Sequence, residues 1–156
     1  MGKNKKIKIF EILAFPPFHF FFAVILSLIS LFIKSFGQVD IFPFNLLGII
    51  LITGGMYIFI YYSWVFKKFN TTLKFEYANQ LYTQGFFRYS RNPMYLGGLI
   101  SLLGFSVLAG SLFSFIGVMW FFVTMNFIAI PLEESMLEEK FPGQYSAYKS
   151  RVRRWF

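Results

Sequence analysis

The sequence predicts an all-α integral membrane protein with about four transmembrane helices, the last two in a tight hairpin, followed by a cytoplasmic C-terminal helix. Only 14% of the 156 residues are charged, whereas a soluble domain carries about 25%. Hydrophobic residues make up 56% of the chain and are gathered in long runs, and the charges cluster between those runs. This distribution is typical of a chain solvated by lipid, and we expect residues 1–156 to form a single membrane domain.

Long apolar runs mark the candidate membrane spans. They cover approximately residues 15–33, 44–66, 94–109 and 112–131. A spanning helix needs roughly 20 apolar residues, with a range of about 17 to 25, which the first, second and fourth runs supply. The third run is short, and only Gly110 and Ser111 separate it from the fourth. We therefore predict a helical hairpin whose turn is buried against the other helices.

The basic residues predict the orientation in the membrane. The N-terminus, the motif-bearing loop 67–93 and the C-terminal segment 132–156 are rich in Lys and Arg, whereas the connection 34–43 is nearly uncharged. The positive-inside rule then places both termini and loop 67–93 in the cytoplasm. The net charge of +8 could indicate a nucleic-acid partner, but each basic patch flanks an apolar run. We expect contact with anionic lipid headgroups and no nucleic acid. The absence of cysteine excludes disulfides and thiolate metal sites, and we predict no metal.

The loop before the third run carries a candidate anion-binding site. It reads LYTQGFFRYSRNPMYLGG from Leu81 to Gly98. Pro93 suits the first turn of a helix, where its missing N–H costs nothing. That helix start offers unpaired N–H groups and a partial positive charge, which favour a carboxylate or a phosphate. Arg88 and Arg91 add full positive charges at the same place.

An acidic pair follows the fourth run. Glu133 and Glu134 lie in the segment PLEESMLEEK, and in a hairpin they come close to the start of the third run. An arginine-bearing helix start facing two carboxylates could bind a zwitterion with an amino-acid head group. The same residues could instead form an interhelical salt bridge and a solvated amphipathic helix, and the sequence leaves both interpretations open. Gly97, Ser101 and Gly104 at helical spacing favour close helix packing, which is compatible with a ligand nearby.

Three ordered blocks carry a resemblance to a known family. RNPMYLG at residues 91–97, the pair at 133–134, and FPGQYSAYKSRV at residues 141–152 resemble the isoprenylcysteine carboxyl methyltransferase family and the related membrane phospholipid methyltransferases. The resemblance covers residues 81–154. It implies an S-adenosylmethionine-dependent enzyme that methylates a lipidic substrate delivered by the bilayer. The substrate is either a carboxylate of the isoprenylcysteine type or a phospholipid amine.

The resemblance also implies roles for individual residues. The implied cofactor-binding residues are Gly85, Arg91, Asn92, Pro93, Tyr95, Gly97, Glu133, Glu134, Tyr145 and Tyr148. Glu133 or Glu134 would accept the proton of an amine nucleophile, and Arg88 would contact cofactor or substrate, so these three are the candidate catalytic residues. Asn92 stands where the family usually has histidine, which puts in doubt an imidazole contribution to cofactor binding.

Two other functions remain open on the sequence. Sterol-type reductases resemble this family in their C-terminal part and use NADPH, but their motif has aspartate where this chain has Gly98. A non-catalytic membrane scaffold with a decayed motif would also explain Asn92 and the small size of the chain. Binding of S-adenosylmethionine rather than NADPH would distinguish the methyltransferase from both.

Overall fold

The computed structural model describes residues 15–32, 37–39, 41–68 and 81–156. This part of the chain contains helices and no strand apart from an isolated bridge between Gln38 and Ser111. The prediction of an all-α protein is therefore confirmed. The predicted basic patch around Lys74 and the N-terminal lysines lie outside the described residues.

The first two helices correspond to the first two apolar runs. Helix α1 spans Pro16–Ile29 and continues as a 3-10 turn over Ser30–Phe32. Its two opening prolines occupy the first turn, where their missing N–H groups leave no hydrogen bond unmade. A 3-10 turn over Phe44–Leu46 leads into α2, which spans Leu47–Lys68.

The predicted hairpin break also appears in the structure. Helix α3 spans Pro93–Ala109 and ends at Gly110, whose φ of 57° lies in the left-handed region that glycine adopts at low cost. A 3-10 turn over Leu112–Ser114 begins the next helix.

A continuous helix then runs from Leu112 to Lys140. Its parts are α4 over Phe115–Thr124, a π-helical turn over Met125–Ala129, and α5 over Ile130–Lys140. It thus extends about two and a half turns beyond the apolar run 112–131 that predicted it. This extension carries Glu133 and Glu134. A short helix, α6, follows over Gln144–Lys149.

Two helices in the described residues are long and apolar enough to cross a membrane. They are Phe44–Val65 and Leu112–Lys140, while Pro16–Phe32 and Pro93–Ala109 are apolar but shorter. The exposed face of α2 is strongly apolar, including Ile50, Tyr57 and Ile60, as expected of a surface that meets lipid. Four spans and a cytoplasmic location of both termini stay predictions.

Small residues bring α2 and α3 into backbone contact. A Cβ atom added at Gly55 would lie 2.5 Å from the carbonyl oxygen of Gly97, and one added at Gly48 would lie 2.4 Å from that of Gly104. Ser101 lies in the same contact. Side chains larger than hydrogen would push these helices apart, so the glycines of the third run serve helix packing.

The main core joins α1, α3 and α4. Ala23, Leu99, Leu102, Val118 and Phe121 belong to one buried cluster. This packing fixes the end of the long helix against the beginning of α3, where the acidic pair and the arginine-bearing loop meet.

Candidate functional site

Glu134 lies at the centre of a cluster of basic side chains. Its Oε1 is 3.1 Å from Nη1 of Arg91, and its Oε2 is 3.1 Å from Nη2 of Arg154 and 3.5 Å from Nζ of Lys149. Nε of Arg154 also donates to Oε1 at 3.2 Å, so Arg154 binds the carboxylate in a bidentate fashion. The side chains of Glu134 and Arg91 are each 9% exposed. Three cations around one carboxylate leave this cluster with surplus positive charge.

The two acidic residues of α5 have different partners. Consecutive residues of an α-helix point about 100° apart, since the helix has 3.6 residues per turn. Glu134 therefore faces the basic cluster, while Glu133 accepts a hydrogen bond from the hydroxyl of Tyr95. Tyr95 lies in the first turn of α3, two residues after Pro93, which opens that helix. The Tyr95 contact joins the end of the long helix to the beginning of α3.

Two tyrosines hold the loop that precedes α3. The loop forms a 3-10 turn over Gly85–Arg88. The backbone N–H of Phe86 donates to the hydroxyl of Tyr62 at 2.6 Å, and the hydroxyl of Tyr148 donates to the carbonyl of Phe87 at 2.7 Å. Gly85 has a φ of 63°, and a Cβ there would lie 2.6 Å from the Tyr62 hydroxyl. The loop thus needs glycine at this position for both conformation and space.

Asn92 faces the backbone of the C-terminal segment. Its Nδ2 donates to the carbonyl of Arg154 at 3.0 Å, and its N–H donates to the hydroxyl of Ser90 at 3.2 Å. The neighbouring N–H of Arg91 donates to the carbonyl of Arg153 at 3.0 Å. The side-chain amide of Asn92 therefore holds the start of α3 to the C-terminal segment. The family that the sequence resembles has histidine at this position.

The tyrosines of α6 are neutral groups at neutral pH. Tyr145 and Tyr148 are both buried. Burial raises the pKa of Tyr145 to about 12, and the Glu134 carboxylate adds to the rise while Arg91 opposes it. Burial likewise raises the pKa of Tyr148 above its ordinary value. Both hydroxyls consequently stay protonated at neutral pH.

Arg91 has an unused hydrogen-bond donor. Its Nε is buried and has no hydrogen-bond acceptor in the described part of the chain. A buried donor without a partner costs free energy, because water no longer solvates it. An anionic ligand at this position would satisfy the donor and balance the surplus positive charge of the cluster. The orphaned atom therefore fits the carboxylate end of an amino-acid head group.

The structure brings together some of the sequence-predicted residues and separates others. Arg91, Tyr95, Glu133, Glu134 and Tyr145 form one contiguous site. Gly97 instead packs against α2, and Gly85 packs against Tyr62. Arg88 is exposed, and no contact in the described residues joins it to Glu134. Their implied roles in binding and catalysis stay predictions.

The sequence interpretation missed the partners supplied by the C-terminal segment. The positive-inside rule accounts for Lys149 and Arg154 by topology alone, whereas both contact Glu134 in the structure. Asn126 accepts from Arg154 and from Trp155. A polar Asn within an apolar run was the available signal, because polar groups at membrane depth need a partner or a function.

Two grooves open beside the acidic pair. An apolar groove of about 730 Å³ runs between α1 and the long helix and ends at Leu132, next to Glu133. A more polar groove of about 480 Å³ is lined by Glu134, Ser135, Glu138, Glu139 and Lys149. Pro131 lines both grooves, and Glu134 lines the polar one. The apolar groove suits a hydrocarbon chain, and the polar groove suits a water-soluble group.

Comparison with known proteins identifies a family whose profile covers the site residues of α3 and α5. The profile of the phospholipid methyltransferase family matches residues 44–144, which contain the arginine loop, α3 and the acidic pair. A protein of Haemophilus influenzae described as uncharacterized is 40% identical over 62 residues, which are 40% of this chain and 98% of that protein. No solved structure matches the chain. With the family profile matching more than half of its residues, the chain belongs to the phospholipid methyltransferase family, whose members are membrane-associated and methylate lipids.

Proposed function

We propose that this protein transfers a methyl group from S-adenosylmethionine to a lipidic acceptor held by the bilayer. The observation that carries the proposal is the buried Nε of Arg91, which lacks a hydrogen-bond acceptor beside a carboxylate pair. The match to a methyltransferase family supports methyl transfer rather than NADPH-dependent reduction or a scaffold without activity.

The residues present fit the amino-acid head of the cofactor. Arg91 would bind its carboxylate through Nε, in a charge-assisted hydrogen bond. Glu134 already has three cationic partners, so Glu133 is the carboxylate available for the ammonium group. Tyr145 lies against Arg91 as a neutral phenol and limits the directions that the guanidinium can adopt.

S-adenosylmethionine, when bound, supplies a methyl group on a sulfonium that is activated for transfer. The protein's contribution is binding, orientation and exclusion of water. The apolar groove that ends at Leu132 would hold the hydrocarbon part of the acceptor and bring its head group to Glu133. No covalent bond to the protein is needed.

The chemistry of the acceptor decides whether a base is required. A carboxylate is nucleophilic as it stands, whereas a phospholipid amine must first lose a proton. If the acceptor is an amine, Glu133, hydrogen-bonded to Tyr95, would accept that proton in place of pairing with the cofactor ammonium. The family match favours the phospholipid amine as the acceptor.

We further propose a multi-pass topology with both termini and loop 67–93 in the cytoplasm, where S-adenosylmethionine is dissolved.

Methyl transfer can be measured with purified protein in defined vesicles. Methyl-labelled S-adenosylmethionine should label vesicles that contain phosphatidylethanolamine, and vesicles of phosphatidylglycerol alone should stay unlabelled because they lack an amine. Label in a prenylated cysteine substrate instead would change the acceptor to a carboxylate. Folded protein that labels neither acceptor but oxidises NADPH would overturn the proposal.

A further inference from the structure

The segment Arg151–Phe156, called here the return segment, lies beyond the residues that the family profile matches. Its backbone is bound to the start of α3. The carbonyl of Arg153 accepts the N–H of Arg91 at 3.0 Å, and the carbonyl of Arg154 accepts Nδ2 of Asn92 at 3.0 Å and Oγ of Ser90 at 3.3 Å. The return segment therefore fixes the backbone that presents Arg91.

The side chain of Arg154 connects the site to the π-helical turn. Its Nε and Nη2 bind the carboxylate of Glu134, while Nη1 donates to both the carbonyl and Oδ1 of Asn126 at 3.2 and 3.3 Å. The indole N–H of Trp155 donates to the same Oδ1 at 3.1 Å, and its ring lies 5.5 Å from that of Phe122. One guanidinium thus joins Glu134 to Asn126, which lies about two turns earlier on the same long helix.

The sequence explains why the carbonyl of Asn126 is available. In an α-helix it would accept the N–H of Ile130, but in the π-helical turn that N–H donates to Met125. The π-type partner would be residue 131, which is proline and has no N–H. The carbonyl of Asn126 therefore lacks a helical partner, and a partly buried carbonyl is stabilised by another donor. Arg154 supplies that donor. Pro131 thus leaves the Asn126 carbonyl without a helical donor, and Arg154 replaces the missing one.

We propose that Arg154 is a positioning residue of the cofactor site. The inference rests on the proposed function. Arg154 holds the Glu134 carboxylate in two charge-assisted hydrogen bonds, which keeps Glu134 from turning fully toward Arg91. Without Arg154, Glu134 would pair with the Nε of Arg91 and occupy the donor that the cofactor carboxylate needs. Arg154 then acts on the cofactor through Glu134, and does not touch it.

The test is titration of the folded, detergent-solubilised full chain with S-adenosylhomocysteine by calorimetry. Arg154→Gln should bind about tenfold more weakly or worse, the effect of losing one charge-assisted contact. Arg154→Lys keeps the charge but lacks the planar fork, so it should show a smaller loss in affinity. Arg151→Gln is the matched control, because it removes the same charge from an exposed side chain whose Nε donates to the carbonyl of Ala147. It should bind like the wild type.

A double variant separates positioning from simple support of the fold. If Arg154 acts through Glu134, Glu134→Gln combined with Arg154→Gln should lose no more affinity than Arg154→Gln alone. Losses that add would overturn the inference. So would wild-type affinity in Arg154→Gln and Arg154→Lys with only a lower melting temperature. If Arg154→Gln does not fold, the affinity of Arg154→Lys is the test. A loss of affinity supports the inference, and wild-type affinity overturns it. A wild-type chain that binds no S-adenosylhomocysteine removes the proposed function as well, whereas wild-type binding with unaffected Arg154 variants removes this inference only.

Discussion

Glu133 and Glu134 are adjacent on one helix, yet Glu134 is paired with three cations while Glu133 has a hydrogen bond from the tyrosine Tyr95. The helical rotation between consecutive residues divides them in this way. Glu134 therefore organises the loop and the return segment, and the proposed function assigns the ligand to Glu133. The two residues should respond differently to the same substitution.

Replacing each residue by glutamine in turn tests this division. Glu134→Gln leaves Arg91, Arg154 and Lys149 without their shared counter-ion, and we expect it to lower stability by roughly 3 kcal/mol, the cost of breaking a buried ion pair. Glu133→Gln should change the melting temperature less but weaken binding of S-adenosylhomocysteine about tenfold. Thermal unfolding and calorimetry on the same preparations measure both effects. Equal responses of the two variants would refute the division.

The glycine contact between α2 and α3 gives a matched pair of variants. Gly55→Ala places a Cβ 2.5 Å from the backbone oxygen of Gly97, so the helices must separate and lose packing. We expect a loss of about 1–3 kcal/mol, the usual cost of overpacking. Gly54→Ala meets nothing within 4 Å and should leave the melting temperature unchanged or slightly higher, since alanine favours helix. Similar melting temperatures for the two variants would show that the helices do not pack through this face.

The predicted topology can be tested cleanly because the chain has no cysteine. Arg88→Cys places a thiol at an exposed site in the loop before α3, and Leu112→Cys places one at an exposed site in the hairpin turn. In sealed cells, a membrane-impermeant reagent should label position 112 and leave position 88 unlabelled until the membrane is opened. The reverse pattern would invert the orientation and remove S-adenosylmethionine from the proposed side.

The burial of Tyr145 predicts a dependence of stability on alkaline pH. Its pKa is raised from 10.0 to about 12 in the folded protein, so the unfolded chain loses the phenolic proton first. The stabilising effect of the protonated phenol is complete below pH 10 and declines as the pH rises toward 12. Tyr145→Phe should show a shallower decline in melting temperature over that interval. A decline of the same slope as in the wild type would mean that Tyr145 is not buried in this way.

The positions of the helices can be predicted from local sequence. The contact between Arg154 and Glu134 at the centre of the site cannot. Apolar runs, the opening Pro93 and the closing Gly110 specify α3 because each acts on the backbone nearby. Arg154 contacts Glu134 only because the chain turns back toward α5 after α6. Hydrophobic periodicity in the sequence does not indicate contacts between residues so far apart. Arg154 likewise reaches back along the chain to donate to the Asn126 carbonyl in the π-helical turn. The sequence therefore singles out Glu133 and Glu134 as site candidates, but it cannot assign them different partners.

Calorimetric titration of the solubilised chain with S-adenosylhomocysteine tests most directly whether the unused donor of Arg91 binds the cofactor. The wild type should bind, and NADPH should give no binding. Arg91→Lys retains the positive charge but lacks Nε, so it should bind at least about tenfold more weakly while still folding. Arg151→Lys serves as the control and should bind like the wild type. Undiminished affinity in folded Arg91→Lys, or a wild-type chain that binds no S-adenosylhomocysteine, would contradict the account.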